Sequence, residues 1–245
     1  MARSRCDQEA FEIIDGLFTS GLPSFDGGRA ELAAAEGLLD ALIRLDFAGS
    51  AVADLSGLWA KGDIGQLVAA TVAVAQKRWQ AGRLGFDEGA ALFTGLERLL
   101  RQAEAGASGA GVIPSVGRVL LVVPEREVHH LGPRLLHREM VASGLTAELV
   151  LDQPAEHWLE RVAGEAFDVV ALSIGHDALL AEAADWVQRL RLASCQSGLR
   201  IMVGGAAITA GQGAYGFVSA DLVTNDVVAA LAFVDGARRR PERAN

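Results

Sequence analysis

RVLLVVPEREVHHLG, residues 118–132, is the stretch that decides how the rest of the chain is read. Five consecutive apolar residues, Val119–Val123, form a run short enough for a buried strand. Pro124 ends it, because a proline cannot donate to a sheet ladder. Glu127, His129 and Gly132 follow just before a helical pattern that opens at Leu131. An acid, an imidazole and a glycine therefore stand at the carboxyl end of a first strand. Two later features repeat that placement. Ser173 closes the apolar run Val169–Ser173, and Gly204-Gly205 closes Arg200–Val203.

Outward from this stretch, strands alternate with helices. Further strands are expected at Thr146–Leu151 and, briefly, at Leu222–Val223. Helical patterns fill the gaps at Leu131–Ser143, Ala155–Ala163, Ala178–Leu192, a short piece after Ala206, and Val227–Ala237. Continuous Val/Leu strands imply a parallel sheet covered on both faces, and five such units predict a flavodoxin-like, doubly wound α/β domain. Ligands of such sheets bind outside the carboxyl ends of the strands, next to the point where strand order reverses. His129, Ser173 and Gly204-Gly205 all fall there.

Residues 7 to about 105 contain no convincing strand. Phe11, Ile14, Leu17 and Phe18 recur at helical spacing behind Asp7, a good N-cap. Longer helices are expected over roughly Arg29–Asp46, up to Trp59, over Ile64–Gln80, and from Asp87 as N-cap to about Ala105. This half reads as a small helical bundle. AEAGASGAGVIPS, Ala103–Ser115, is small, Gly-rich and closed by a proline, which marks a linker. The expected organisation is a helical cap domain over 1–105, a linker over 106–117, and an α/β domain over 118–240.

Composition narrows the function. The 245 residues are 51% hydrophobic and carry a formal charge of −9. That average repels a phosphate backbone. The one basic cluster, Arg238–Arg240 with Arg243, reads as a solvated carboxyl end. Two cysteines, Cys6 and Cys195, are too few for a disulfide framework and lack neighbours at metal-ligand spacing. The amino terminus turns acidic before any apolar run, so no signal peptide is expected. No apolar run approaches the roughly 18 residues a membrane helix needs. A cytoplasmic protein without membrane or direct nucleic-acid partners is the expectation.

The spacing E-x-H-x-x-G at Glu127, His129 and Gly132, followed by Ser173 and Gly204-Gly205 on successive strands, resembles the pattern of cobalamin-binding domains. LSGLWAKGDIGQLVAA, Leu55–Ala70, is similar to the helical cap that precedes this domain in that family. The resemblance implies cobalamin, as adenosylcobalamin or hydroxocobalamin, with the His129 imidazole on cobalt in place of the cofactor's own base. It implies that Glu127 orients that imidazole, consistent with the habit of ligating histidines to donate their other nitrogen to a carboxylate. Ser173 would hydrogen-bond the displaced nucleotide tail. Gly204 and Gly205 would give it a slot, and Gly132 would let the loop pass close to the corrin. Trp59 is either a core aromatic or a ring lying against the cofactor.

Two departures from the pattern stand out. The Glu-His of the photoreceptor branch is replaced by Ala69-Ala70, and neither side chain ligates a metal. The S-x-L pattern reads Ser173-Ile174-Gly175, which alters packing but keeps the hydroxyl. A cap plus a cobalamin domain, without a catalytic barrel or a winged-helix reader, resembles the AerR/PpaA group of antirepressors. That implies a non-enzymatic, light- or redox-responsive regulator of photosynthesis genes whose partner is a transcriptional repressor protein. The alternatives are a corrinoid methyl carrier serving a methyltransferase, and a haem or other tetrapyrrole sensor on the same fold.

Overall fold

The structure is a computed structural model describing residues 29–44, 64–107, 117–127, 130–208 and 215–238. The chain divides into two units, Met1–Ala110 and Gly111–Asn245.

In the first unit, α1 (Arg29–Ile43), α2 (Ile64–Gln80) and α3 (Phe86–Ala107) are the described helices. Helix α1 turns Leu38, Leu39 and Leu42 inward, and α3 contributes Leu92, Leu96 and Leu99, three and four residues apart. Helix α2 buries Val68, Ala69, Ala70, Val72 and Ala75, more than one face, as its Ala/Val-rich sequence leads one to expect. The two alanines at the position of the photoreceptors' Glu-His are thus both buried. Arg78 ties α2 to α1 through Asp40 at 2.7 Å.

Asp87 is not the N-cap of α3. The helix starts one residue earlier, at Phe86, and the Glu88 carboxylate reaches back to accept from the Gly85 N–H at 2.7 Å. This is the back-reaching half of a capping box, since Gly85 has no side chain to return the bond, and it leaves Asp87 in the first turn, where its charge suits the helix dipole.

The second unit is a five-stranded parallel sheet in the order β2-β1-β3-β4-β5, with β1 (Arg118–Pro124), β2 (Thr146–Gln153), β3 (Val169–Ser173), β4 (Arg200–Gly204) and β5 (Leu222–Val223). It is the flavodoxin-like, doubly wound order, with the reversal between β1 and β3. Helices α4 (Leu131–Ala142), α5 (Ala155–Gly164), α6 (Leu180–Ala193) and α7 (Val227–Arg238) cover it. Period-two alternation sorts the strand residues between the faces. Leu120, Val122, Val170, Leu172, Ile201 and Val203 pack with Trp158 of α5 and Trp186 of α6. Val119, Leu121, Val169, Ala171 and Met202 pack with Met140 of α4 and with Ala230 and Val234 of α7. Both neighbours of every central residue are apolar, which is why these strands read as unbroken hydrophobic runs.

Two local expectations change. The helix expected from Ala178 begins as a 3-10 turn, Asp177–Leu179, and becomes α-helical at Leu180. Of the short helix expected after Ala206, residues 206–208 are turn and bend and 209–214 lie outside the described residues; the next described element is a 3-10 helix at Tyr215–Val218.

Candidate functional site

Three strand ends that are adjacent in the sheet carry the sequence motif. After β1 the chain makes a turn in which the Glu127 N–H donates to the Pro124 carbonyl at 3.1 Å, with Arg126 at φ 74°. A positive φ at a non-glycine residue is costly, and here it brings the Glu127 side chain back over the sheet edge. Glu127 is only 1% exposed. A buried carboxylate needs donors to replace water, and the Gly175 N–H, in the loop after β3, donates to its Oε2. Glu127 therefore bridges the two loops that flank the point of strand reversal.

Ser173 is the last residue of β3, buried and in register with Gly204, the last residue of β4. Gly132 lies in the first turn of α4, and a Cβ built on it would meet nothing within 4 Å. The loop and helix start therefore present open space at this position. His176 follows Gly175 and precedes the 3-10 turn, half-buried. Glu127, Ser173, Gly132 and the glycine pair thus share the carboxyl-terminal edge of β1, β3 and β4. His129 and Trp59 lie outside the described residues. Glu127 and His130, which bracket the His129 position in sequence, both stand at this edge.

The glycine pair has a packing role within the chain itself. A Cβ on Gly204 would sit 2.6 Å from the Thr224 carbonyl oxygen, at the end of β5. Gly205 has φ 107°, and a Cβ there would lie 2.7 Å from the Ile174 nitrogen and closer still to its carbonyl oxygen. Backbone of this chain occupies the space that the missing side chains leave. The close approach is stitched by hydrogen bonds: Ile174 N–H to Gly204 O at 2.7 Å, Ala207 N–H to Ile174 O at 3.0 Å, and Ile208 N–H to Gly205 O at 3.0 Å. The pair locks the β3 and β4 loops together and so fixes the floor on which Ser173 and Gly175 sit.

Sequence reasoning passed over His130 and Asp152. His130 begins α4 as its N-cap without a side-chain capping bond. Its Nε2 lies 2.8 Å from the Glu127 carbonyl oxygen and 3.1 Å from Asp152 Oδ1. Nothing periodic flags such a pair, since its members lie 22 residues apart and meet only through the β1–β2 pairing.

Among the described residues no group of three His, Cys, Asp or Glu could hold a metal ion, and no helix is long and apolar enough to cross a membrane. The described residues leave room for a cofactor at this edge: an open approach at Gly132, a buried carboxylate at Glu127, and a buried hydroxyl at Ser173 on the adjacent strand.

Comparison with known proteins adds the following. No family model matches the chain. An uncharacterized 20.5 kDa protein in the bchF-crtJ intergenic region of Rhodobacter capsulatus is 28% identical over 151 residues, which span 61% of this chain and 78% of that relative. Among solved structures, the monomethylamine corrinoid protein of Methanosarcina barkeri matches with a TM-score of 0.57 at 18% identity, over 80% of this chain and 94% of that one. A cobalamin-binding protein from Desulfitobacterium hafniense DCB-2 gives a TM-score of 0.44 at 16% identity, over 83% and 98% of the two chains. The Methanosarcina likeness is one of fold, and it agrees with the doubly wound sheet described above.

Proposed function

We propose that this chain binds cobalamin at the carboxyl-terminal edge of its sheet, with His129 as the axial ligand, and acts as a non-enzymatic regulator. The observation that carries the reading is the buried Glu127 carboxylate, bridged to Gly175 at the strand reversal and two residues before His129. A carboxylate so placed accepts from the far nitrogen of a ligating imidazole and fixes its tautomer. The corrinoid fold neighbour from Methanosarcina supports the same cofactor class.

Each residue then has a task. Glu127 holds the imidazole's orientation, Ser173 offers a hydroxyl to the displaced nucleotide tail, and Gly132 keeps the approach clear. Gly204 and Gly205 hold the two loops in register beneath. Bound cobalamin would supply a cobalt centre with an exchangeable upper ligand, photolabile where that ligand is an alkyl group such as adenosyl. Regulation through a transcriptional repressor, of the AerR/PpaA kind, is the role we put forward. The relative encoded between bchF and crtJ is consistent with it. The net charge of −9 favours a protein partner over DNA.

A corrinoid methyl carrier is the second reading, favoured by the monomethylamine corrinoid protein among the fold neighbours. The deciding experiment loads the purified chain with hydroxocobalamin or, in parallel, haem, and records absorption and, after reduction, electron paramagnetic resonance. Cobalamin uptake with nitrogen hyperfine coupling that disappears in His129→Ala is expected. Coupling unchanged by that substitution removes His129 as ligand, and haem uptake alone removes the corrinoid. Methyl transfer from a supplied donor protein would decide for the carrier over the regulator.

A further inference from the structure

The loop from β1 to α4 is held at its far end by a device with no counterpart in the motif. Strand β2 pairs with β1 residue by residue up to Val123 opposite Leu151, and then Pro124 pairs with Gln153. Asp152 is the extra residue, a β-bulge, and its φ is 54°. Bulges of this kind re-aim a side chain, and they recur beside functional sites. A non-glycine residue in the left-handed region is otherwise disfavoured, although Asp tolerates it better than most. Here the bulge sends the Asp152 carboxylate to His130 Nε2, 3.1 Å away. The second neighbour of that nitrogen is the Glu127 carbonyl oxygen at 2.8 Å. Both neighbours are acceptors, so Nε2 carries the hydrogen and is shared between them. The His130 ring is thereby fixed to both ends of the loop that contains Val128 and His129.

We infer that His130 and Asp152 are positioning residues that hold the start of α4 to Glu127 and to β2 before any ligand arrives, and so act on the ligand this edge takes. The consequence for the ligand rests on the cobalamin reading above; the clamp itself rests on the bulge and the two contacts. The Asp152 side chain is 59% exposed, and a polar contact that open to water adds little to overall stability. The effect belongs in the loop and in the ligand, and only weakly in the fold.

Three substitutions separate these. Asp152→Gly removes the carboxylate and relieves the left-handed backbone. Asp152→Asn keeps an oxygen acceptor and tolerates the same φ. His130→Gln keeps an N–H donor near the position of Nε2. Hydrogen exchange is followed in the cofactor-free protein over 125–132, together with the thermal midpoint, the affinity for hydroxocobalamin and the nitrogen hyperfine coupling of the reduced complex. Asp152→Gly is expected to speed exchange in this loop with an unchanged or raised midpoint. It should weaken hydroxocobalamin binding about tenfold, the ordinary consequence of losing a ligand's supporting partner, and broaden the coupling. Asp152→Asn and His130→Gln should stay close to the unaltered protein in both respects. Exchange unaffected by Asp152→Gly overturns the clamp. Faster exchange with unchanged affinity and coupling overturns the positioning role. If the unaltered chain takes up no cobalamin while the exchange still responds, the cobalamin reading falls and the clamp stands.

Discussion

The two edges of the α/β unit's sheet are built from opposite materials. At the amino-terminal edge, Arg118 and Arg161 share Glu148 and Glu165 at 2.5 to 2.9 Å, and both guanidinium groups lie over the ring of Phe167. The first ladder donors are satisfied there too: Arg118 N–H donates to Asp168 Oδ2, and Ile201 N–H to Asp221 Oδ2, each at 2.7 Å. At the carboxyl-terminal edge, backbone leans on backbone. Arg126 and Asp152 take positive φ, Gly205 takes φ 107°, and the buried Glu127 spans two loops. One edge spends side-chain charges on closure, with no strained backbone at Arg118 or Asp168. Positive φ occurs at both, with Gly117, Gly144 and Ser219 at the amino-terminal edge, and what sets the other edge apart is its close glycine contacts and the buried Glu127.

Gly205→Ala breaks the comparison most severely. The added methyl meets the Ile174 backbone at a φ that L side chains rarely adopt, and backbone cannot swing aside as a side chain can. A loss of roughly 3–5 kcal/mol is expected from the clash and the dihedral together, seen as a large drop in denaturant midpoint. A small loss would mean that the β3 and β4 loops can separate cheaply, which would undo the account of the carboxyl edge as a rigid floor.

Phe167→Leu sharpens it from the other side. The substitution keeps most of the buried apolar volume but removes the ring face beneath Arg118, 4.5 Å from its centroid, and Arg161, 5.5 Å away. About 1–2 kcal/mol of destabilisation is expected from altered packing and lost cation–π attraction. Cofactor affinity should not change, because the residue lies at the opposite edge from the site. A fall in affinity comparable to that expected of the Asp152 clamp would show the edges to be coupled.

The smallest effect is a pH dependence. Hydrogen bonds from Arg161 and then Arg118 hold the Glu165 carboxyl at about 2, against an ordinary 4.5. For Glu148, burial pushes upward, but hydrogen bonds from the same two arginines outweigh it and the group is lowered overall. Each carboxyl is more acidic folded than unfolded. Their stabilisation is therefore complete above about pH 4.5 and drains away as the pH falls, for Glu165 toward about 2. Glu165→Gln should flatten the acid limb of a thermal-midpoint profile while shifting the neutral plateau little, since this edge is open to solvent. An acid limb of unchanged slope would assign acid sensitivity to other carboxyls.

The sequence by itself determined the layering. Unbroken Val and Leu runs place strands to within a residue or two, because a strand covered on both faces must be apolar at every position. The same logic located Glu127, Ser173 and Gly204-Gly205 at strand ends, and it saw that the two glycines were required. The structure adds a packing reason for them. The missing Cβ atoms are used by Thr224 and Ile174, which come near only when the sheet is assembled. Strand order, the bridge from Glu127 to Gly175, the start of α3 at Phe86, and the bulge that turns Asp152 toward His130 were likewise decided by tertiary structure. Periodicity reports which face of an element is buried and is blind to what lies across the gap. A bulge shifts one strand by a single residue and leaves the apolar pattern intact on either side. In LVLDQP, Leu149–Pro154, no residue type announces that Asp152 will be the one left over; only pairing with Val123 and Pro124 decides it.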